Sequence, residues 1–211
     1  MKNLSIILIL FILVFITSCI NKPNNESLII NTLEDGEIFT STQKYQILCW
    51  VIKKHENYTK NYYKCQAGKK TKGWGFTNVK NVRDIHHADE IFKGIIEELY
   101  IKVNKDYPTL TYLQKAVIIS LYYNTGDVTA IKNSNFIKFL VDNDIEKSID
   151  SFQKWNKVKV IIKGRKRYIV SNGLVNRRSY EAKLLDGSFN MTDYHNLKKE
   201  MEKIYLKSKS V

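Results

Sequence analysis

An apolar run opens the chain and differs in pattern from everything that follows it. Residues 4–16 read LSIILILFILVFI, with Lys2 before the run and Thr17, Ser18 and Cys19 after it. An apolar stretch of this length between a cation and small residues is typical of a secretory signal, and it is short for a membrane span. We therefore predict that residues 1–18 are a signal peptide and leave them out of the fold.

Beyond residue 42 the apolar positions recur mainly at helical spacing, with one Gly-rich interruption. Residues 62–77 contain three glycines, several aromatics and alternating Thr and Gly, which predicts a small antiparallel sheet with tight turns. Residues 113–123 (LQKAVIISLYY) are apolar on nearly every side and predict a buried central helix. Further helices are predicted at residues 43–55, 89–103, 136–143, 145–155 and 175–185, and residues 191–211 are predicted to be a basic, exposed tail or helix.

The order of these elements indicates the fold class. A small sheet followed by helices to the end of the chain predicts an α+β fold, with a small β lobe, a larger helical lobe and a ligand-binding cleft between them. We place this domain at residues 43–190 and expect it to be a monomer.

Composition and charge narrow the choice of partner. The 211 residues include 34 Lys and Arg against 21 Asp and Glu, a formal net charge of +13, which predicts an anionic partner. Secretion leaves little access to nucleic acid and favours a polymer of the cell envelope. The basic segment at residues 163–168 is either a solvated turn or hairpin, or a contact with such a polymer. Because the sequence contains neither a Gly-rich phosphate loop nor a metal-ligand pattern, we predict no cofactor and no metal.

The end of the signal peptide resembles the lipobox of bacterial lipoproteins. In Ile16-Thr17-Ser18-Cys19 the cysteine stands where that motif places the residue that receives a diacylglycerol and becomes the mature N-terminus. The alternative is an ordinary signal peptide that happens to contain a cysteine. The resemblance implies lipidation of Cys19 and a membrane anchor outside the cytoplasm. The Asn-, Ser- and Glu-rich composition that follows predicts a flexible tether at residues 19–42.

Glu56 has features of a general acid when it is considered alone. It lies where an apolar helix is predicted to give way to an aromatic, Gly-rich segment. Partial burial there would favour the protonated carboxyl that a general acid requires. The neighbouring Lys53, Lys54 and Lys60 favour a simpler interpretation, in which Glu56 forms a surface ion pair.

The spacing around Glu56 favours the chemical interpretation. Glu56, eight residues, Cys65, five residues and Thr71 resemble the E-x8-D/C-x5-T signature of phage-type lysozymes and endolysins, glycoside hydrolase family 24. Three later blocks resemble that family in the same order: residues 114–126 (Q-x-A…N-x-G), Trp155-Asn156, and residues 173–181 (G-L-x-x-R-R-x-x-E). Together the blocks cover roughly residues 43–186.

The resemblance implies a lysozyme-like fold and a muramidase reaction. The bond cleaved would be the β-1,4 bond between N-acetylmuramic acid and N-acetylglucosamine in peptidoglycan, with Glu56 as the general acid. Cys65 and Thr71 would position the water or the nucleophile. The positions implied to bind substrate are Arg177, Trp74, Tyr63 and Asn124, although aromatics at this density are more often part of a core. The resemblance also implies that Arg177 lies near the catalytic glutamate, because the family tends to carry an arginine at that position.

Cys65 stands where the aspartate version of the family carries a carboxylate. A thiol supplies a negative charge only if neighbouring lysines lower its pKa. The alternatives for Cys65 are a small buried filler or a disulfide with Cys49, which we expect in the core. Two other functions compete with hydrolysis: a catalytically weak or inactive peptidoglycan-binding lipoprotein with a lysozyme fold, and a surface-adhesion protein.

Overall fold

The computed structural model describes residues 38–64, 68–77, 79 and 81–209. The predicted signal peptide, Cys19 and Cys65 lie outside the described residues, as does most of the predicted tether. Within the described residues the first element is helix α1, Ser41–Glu56. It begins with a capping box, in which the Thr40 side chain accepts from the Gln43 amide and the Gln43 side chain accepts from the Thr40 amide.

A small antiparallel hairpin follows α1, as the Gly-rich pattern predicted. It consists of β1, Thr59–Lys64, and β2, Lys70–Gly73, with Tyr63 opposite Thr71. The chain then turns tightly and is closed by two hydrogen bonds. The Lys72 amide donates to the Phe76 carbonyl at 3.0 Å, and the Phe76 amide donates to the Lys72 carbonyl at 2.8 Å. Only a backbone with positive φ closes this turn, and Gly73 and Gly75 supply it at +63° and +85°.

Helices make up most of the remaining chain. They are α2, Ile85–Asp106; α3, Tyr112–Thr125; α4, Val128–Lys132; α5, Asn135–Val141; α6, Ile145–Gln153; α7, Asn172–Leu185; and α8, Met191–Lys209. The helices predicted from apolar spacing are confirmed, with ends displaced by a few residues. Helix α4 was not predicted, because this one-and-a-half-turn helix buries a single side chain, Ile131, and so leaves no periodic apolar pattern.

The predicted central helix is α3. Every side chain from Lys115 to Tyr122 is buried, and α3 packs against α1, α2 and α7. It begins with a second capping box, between Thr111 and Gln114, and ends at Gly126, whose φ of +71° stops the helix. Because other helices pack around α3, its side chains contact both α1 and α7.

A second hairpin lies between α6 and α7. The strands β3, Lys157–Ile162, and β4, Arg165–Val170, pair antiparallel through six residue pairs. Lys163 and Gly164 form the turn, both with positive φ, as two-residue hairpin turns require. The basic segment at residues 163–168 therefore forms the turn and most of the second strand of a hairpin.

The segment after residue 191 is a helix, and only one of its faces is exposed. Helix α8 packs along α1 and buries Tyr194, Leu197 and Met201. No helix within the described ranges has the length and apolarity needed to cross a membrane.

Candidate active site

Glu56 is the last residue of α1, and the end of this helix determines where its carboxylate lies. Asn57 takes a φ of 55°, and its amide donates to the Lys53 carbonyl at 2.9 Å, which ends the helix and turns the chain toward β1. The Glu56 side chain remains 16% exposed. The carboxylate is therefore mostly enclosed yet accessible from solvent.

Arg177 of α7 holds the Glu56 carboxylate. Its Nη1 lies 2.6 Å from Oε1 of Glu56, while its Nε lies 3.0 Å from Oε1 of Glu181 and its Nη2 donates to the Ser120 hydroxyl at 3.0 Å. Arg177 is itself 3% exposed. Burial opposes its positive charge, but Glu181 and Glu56 outweigh that effect and raise the pKa of Arg177.

A second set of buried contacts fixes Arg177. Glu181 is fully buried, accepts a hydrogen bond from the Ser120 hydroxyl, and places Oε2 2.8 Å from Nη1 of Arg178. Arg178 also donates through Nη2 to Oδ1 of Asn124 at 2.7 Å. Buried charges of this kind add little net stability, but removing one of them leaves its partner uncompensated, so the geometry is strongly determined. We call these six residues the arginine cluster: Glu56, Ser120, Asn124, Arg177, Arg178 and Glu181.

Part of this cluster was predicted from the sequence. Arg177 was expected near Glu56, and the structure brings these two residues into contact. Asn124 was expected to bind substrate, and in the structure its side chain holds Arg178. Ser120, Arg178 and Glu181 were missed as site residues, although the i, i+3 and i, i+4 spacing within residues 177–181 places Glu181 on the same helix face as both arginines.

The tight turn after β2 forms a wall beside Glu56. A Cβ atom on Gly75 would overlap Oε2 of Glu56. Any other residue at this position would therefore displace the carboxylate, in addition to the strain of a φ of +85°. The glycine lets the backbone approach the carboxylate and confines it against Arg177.

Trp74 belongs to the core, which is the alternative that the sequence left open. Its ring is fully buried, so it presents no face on which a sugar could stack. Its Nε1 donates to Oδ1 of Asp89 at 2.7 Å, and its carbonyl accepts from the Tyr123 hydroxyl. Burial and then the Glu56 charge raise the pKa of Tyr123, which keeps this hydroxyl a donor.

The lysines beside Glu56 in sequence have other partners. Lys53 is buried, with Nζ 2.7 Å from Oδ1 of Asp89 and 3.0 Å from the Tyr205 hydroxyl, which donates to Oδ2 of Asp89 at 2.7 Å. Lys54 pairs with Glu200 at 2.8 Å. Lys53 and Lys54 therefore pair with other carboxylates, and the Glu56 carboxylate pairs with the buried Arg177.

The remaining predicted residues lie on the first hairpin or outside the described residues. Thr71 is 3% exposed, and its hydroxyl donates to the Lys69 carbonyl at 3.1 Å. Tyr63, its cross-strand neighbour, is 37% exposed. Cys49 is a free thiol in the core, where burial raises its pKa to about 11.

The α+β fold, with a short hairpin beside the carboxylate and helices around α3, is lysozyme-like. The chain belongs to the phage lysozyme family, whose sequence pattern matches residues 53–181, from the last turn of α1 to Glu181. It is 30% identical, over 142 residues, to an endolysin of Acyrthosiphon pisum secondary endosymbiont phage 1. That alignment covers 65% of this chain and 94% of the relative.

Solved structures show the same fold. The chain is similar to the endolysin from Escherichia coli O157:H7 phage FAHEc1, with 27% identity and a TM-score of 0.58 over 75% of this chain and 99% of that chain. It is also similar to the muramidase domain of SpmX from Asticaccaulis excentricus, with 19% identity and a TM-score of 0.56 over 66% and 95% of the two chains. At that lower identity the second likeness concerns the fold alone.

Proposed function

We propose that this protein is a muramidase that hydrolyses the β-1,4 bond between N-acetylmuramic acid and N-acetylglucosamine in peptidoglycan, with Glu56 as the general acid. Membership of the phage lysozyme family supports a lysozyme-type glycoside hydrolase. The observation that carries the assignment is the Glu56 carboxylate, which the end of α1 positions, Arg177 and Gly75 confine, and solvent still reaches.

The arginine cluster explains how Glu56 can deliver a proton. Protonated Glu56 donates to the leaving glycosidic oxygen as the bond to the anomeric carbon breaks, and the side chain becomes a carboxylate. Arg177, 2.6 Å from Oε1, stabilises the negative charge as it develops. Arg177 is thus a positioning residue, and its own contacts with Glu181 and Ser120 hold it in place before the reaction begins.

As the leaving oxygen departs, the anomeric carbon forms a new bond on its opposite side. The bond is either to a water that gives a proton to a base, or to a protein nucleophile that a water later displaces. We assign this side of the reaction to Thr71 and Cys65. The Thr71 hydroxyl donates a hydrogen bond to the Lys69 carbonyl, so its oxygen remains an acceptor to which a water can donate. Lys64, Lys69 and Lys70 flank Cys65 in the sequence and would favour its thiolate.

The cellular setting proposed for this activity is the envelope outside the cytoplasm, with the domain anchored through a lipid on Cys19. The lipobox-like end of the apolar run and the substrate class support it. The mass of the N-terminal peptide of the mature protein tests the anchor, because lipidation adds a diacylglycerol to a peptide that begins at Cys19.

Release of reducing ends from purified peptidoglycan tests the hydrolase. Glu56→Gln keeps the size of the side chain but cannot donate an acid proton, so we expect kcat to fall by about 100-fold to 10,000-fold. Glu98→Gln changes an exposed glutamate on α2 and serves as the control, with kcat unchanged. Failure of the wild type to release ends would instead favour a peptidoglycan-binding lipoprotein, and full activity in Glu56→Gln would remove Glu56 from the mechanism.

The role of Cys65 is tested with a second cysteine as the control. Cys65→Ser removes a group that can ionise near neutrality, so we expect kcat to fall by about tenfold or more, while Cys49→Ala changes stability but not kcat. Equal kcat values for the two variants would place Cys65 outside the mechanism.

A further inference from the structure

The β3–β4 hairpin combines exposed apolar side chains with a concentration of positive charge. Five of its large apolar side chains are between 45% and 73% exposed: Ile161, Ile162, Tyr168, Ile169 and Val170. Residues 157–170 also contain six Lys and Arg and no acidic residue. None of the ion pairs between described residues involves any of these six cations. Among the described residues, these side chains belong neither to the hydrophobic core nor to the arginine cluster.

The register of the hairpin arranges these side chains on one face. Residues that lie opposite each other in an antiparallel pair share a face, and so do residues two apart along a strand. Three opposite pairs therefore share a face, and each joins one cation to one apolar residue: Lys157 with Val170, Lys159 with Tyr168, and Lys166 with Ile161. We call these six residues the outer face. Its apolar members are the three most exposed on the hairpin, at 56, 68 and 73%.

We propose that the outer face binds the surface of a bilayer rich in acidic phospholipids. The aliphatic and aromatic side chains gain free energy by leaving water for the boundary between headgroups and acyl chains. The three lysines lie among these side chains and can pair with lipid phosphates at the same depth. An acidic bilayer surface therefore offers a partner both for the apolar side chains and for the lysines of the outer face.

Two other partners fit the outer face less well. A hydrated anionic polysaccharide would pair with the lysines but would leave Ile161 and Val170 in water. A second copy of the chain would bring two hairpins of six cations together, and like charges at close range repel. The proposal concerns a membrane contact of the domain itself and does not depend on sugar cleavage.

Partition onto lipid vesicles tests the proposal with the full-length chain, so that residues 1–37 contribute equally to every variant. The vesicles contain phosphatidylcholine alone or three parts phosphatidylcholine to one part phosphatidylglycerol. For the anionic vesicles we expect Lys157→Gln/Lys159→Gln/Lys166→Gln to weaken partition by about 100-fold. Ile161→Ser/Tyr168→Ser should weaken it by about tenfold or more.

A charge-matched variant serves as the control. Lys102→Gln/Lys105→Gln/Lys138→Gln removes the same number of exposed lysines from α2 and α5 and should change partition by less than about threefold. Thermal melting of each variant checks that the fold is retained. In a second measurement, the Tyr168→Trp variant should show stronger quenching by brominated acyl chains than the wild type, because the added indole reaches the acyl boundary.

Two results would overturn the proposal. The first is an equal change in partition onto anionic vesicles for the two outer-face variants and for the control variant. The other is weaker binding of the outer-face variants to purified peptidoglycan with no change on vesicles, which would make the wall polymer the partner of the hairpin.

Discussion

Gly75 controls the position of the Glu56 carboxylate without carrying a side chain of its own. The backbone of the turn after β2 lies so close to Oε2 that a Cβ atom has no room. On the other side of the carboxylate, Arg177 Nη1 fixes Oε1 at 2.6 Å. Catalysis by a general acid depends steeply on such placement, because a shift of about 1 Å can cost about 100-fold in rate.

Gly75→Ala is therefore expected to lower kcat by about 100-fold. It should also reduce the free energy of unfolding by about 1–2 kcal/mol, because alanine is strained at a φ of +85°. Kinetics on peptidoglycan and urea denaturation measure the two effects separately.

Gly187→Ala separates strain from displacement. Gly187 has a φ of +74°, but a Cβ atom there meets nothing within 4 Å. This variant should show a similar loss of stability with kcat unchanged. A kcat for Gly75→Ala equal to that for Gly187→Ala would contradict the role given to the close approach.

The sequence predicted Glu56, Arg177 and Asn124 as site residues but not Ser120, Arg178 and Glu181, and it left the burial of Trp74 open. The predicted residues lie within short motifs that resemble those of the lysozyme family, and the resemblance implies their place in the site. The exposure of Trp74 depends instead on Asp89 and Tyr205, which come from distant parts of the sequence and meet only in the folded domain. Contacts between residues far apart in the sequence cannot be predicted from the spacing of neighbouring residues.

Helix α8 supports the segment that leads to the site. Its Tyr205 hydroxyl accepts from Lys53 and donates to Asp89, and the same carboxylate accepts from Trp74, the residue before Gly75. The ammonium of Lys53 also lies 5.0 Å from the centroid of the Trp74 ring. One network thus joins α1, α2 and α8 to the turn beside Glu56.

Tyr205→Phe removes one hydroxyl from this network and should reduce the free energy of unfolding by about 1–3 kcal/mol, because its partners are charged and largely enclosed. Tyr194→Phe on the same helix is the matched control, since that hydroxyl donates to the neutral side chain of Gln46 at 2.6 Å. We expect it to cost about 1 kcal/mol or less in urea denaturation. Equal costs would show that the network adds nothing beyond an ordinary hydrogen bond.

The composition of α8 explains why its packing was not predicted. Residues 191–211 are rich in Lys and Glu, which indicated an exposed segment. The residues it buries, Tyr194, Leu197 and Met201, follow helical spacing, but three apolar positions among many charges gave only a weak signal. These three residues can be identified as core only when the surface of α1 against which they pack is known.

For the whole molecule, the stability of the domain should depend on pH through His55, which precedes Glu56. Burial and the charges of Arg177, Lys54 and Arg178 lower its pKa from 6.5 to about 3. Between those two values the unfolded chain binds a proton that the folded chain does not. The contribution of His55 to stability is therefore complete above pH 6.5 and is lost as the pH falls toward 3.

We expect the free energy of unfolding to decrease by up to about 1.4 kcal/mol per pH unit below pH 6.5 through this one group. Urea denaturation at several pH values between 7.5 and 5 measures the slope. His55→Phe should flatten it, whereas His86→Gln, which changes an exposed histidine at the start of α2, should leave it unchanged. An identical slope in His55→Phe would show that other groups cause the dependence.

The contact between Lys53 and Tyr205 also has a consequence for truncated chains. Helix α8 is the last described element in chain order, so a chain that ends after α7 keeps every residue of the arginine cluster but loses the phenolic partner of the ammonium beneath the Gly-rich turn. Loss of α8 would therefore weaken the turn that confines the Glu56 carboxylate while leaving Glu56 and Arg177 in place in the sequence.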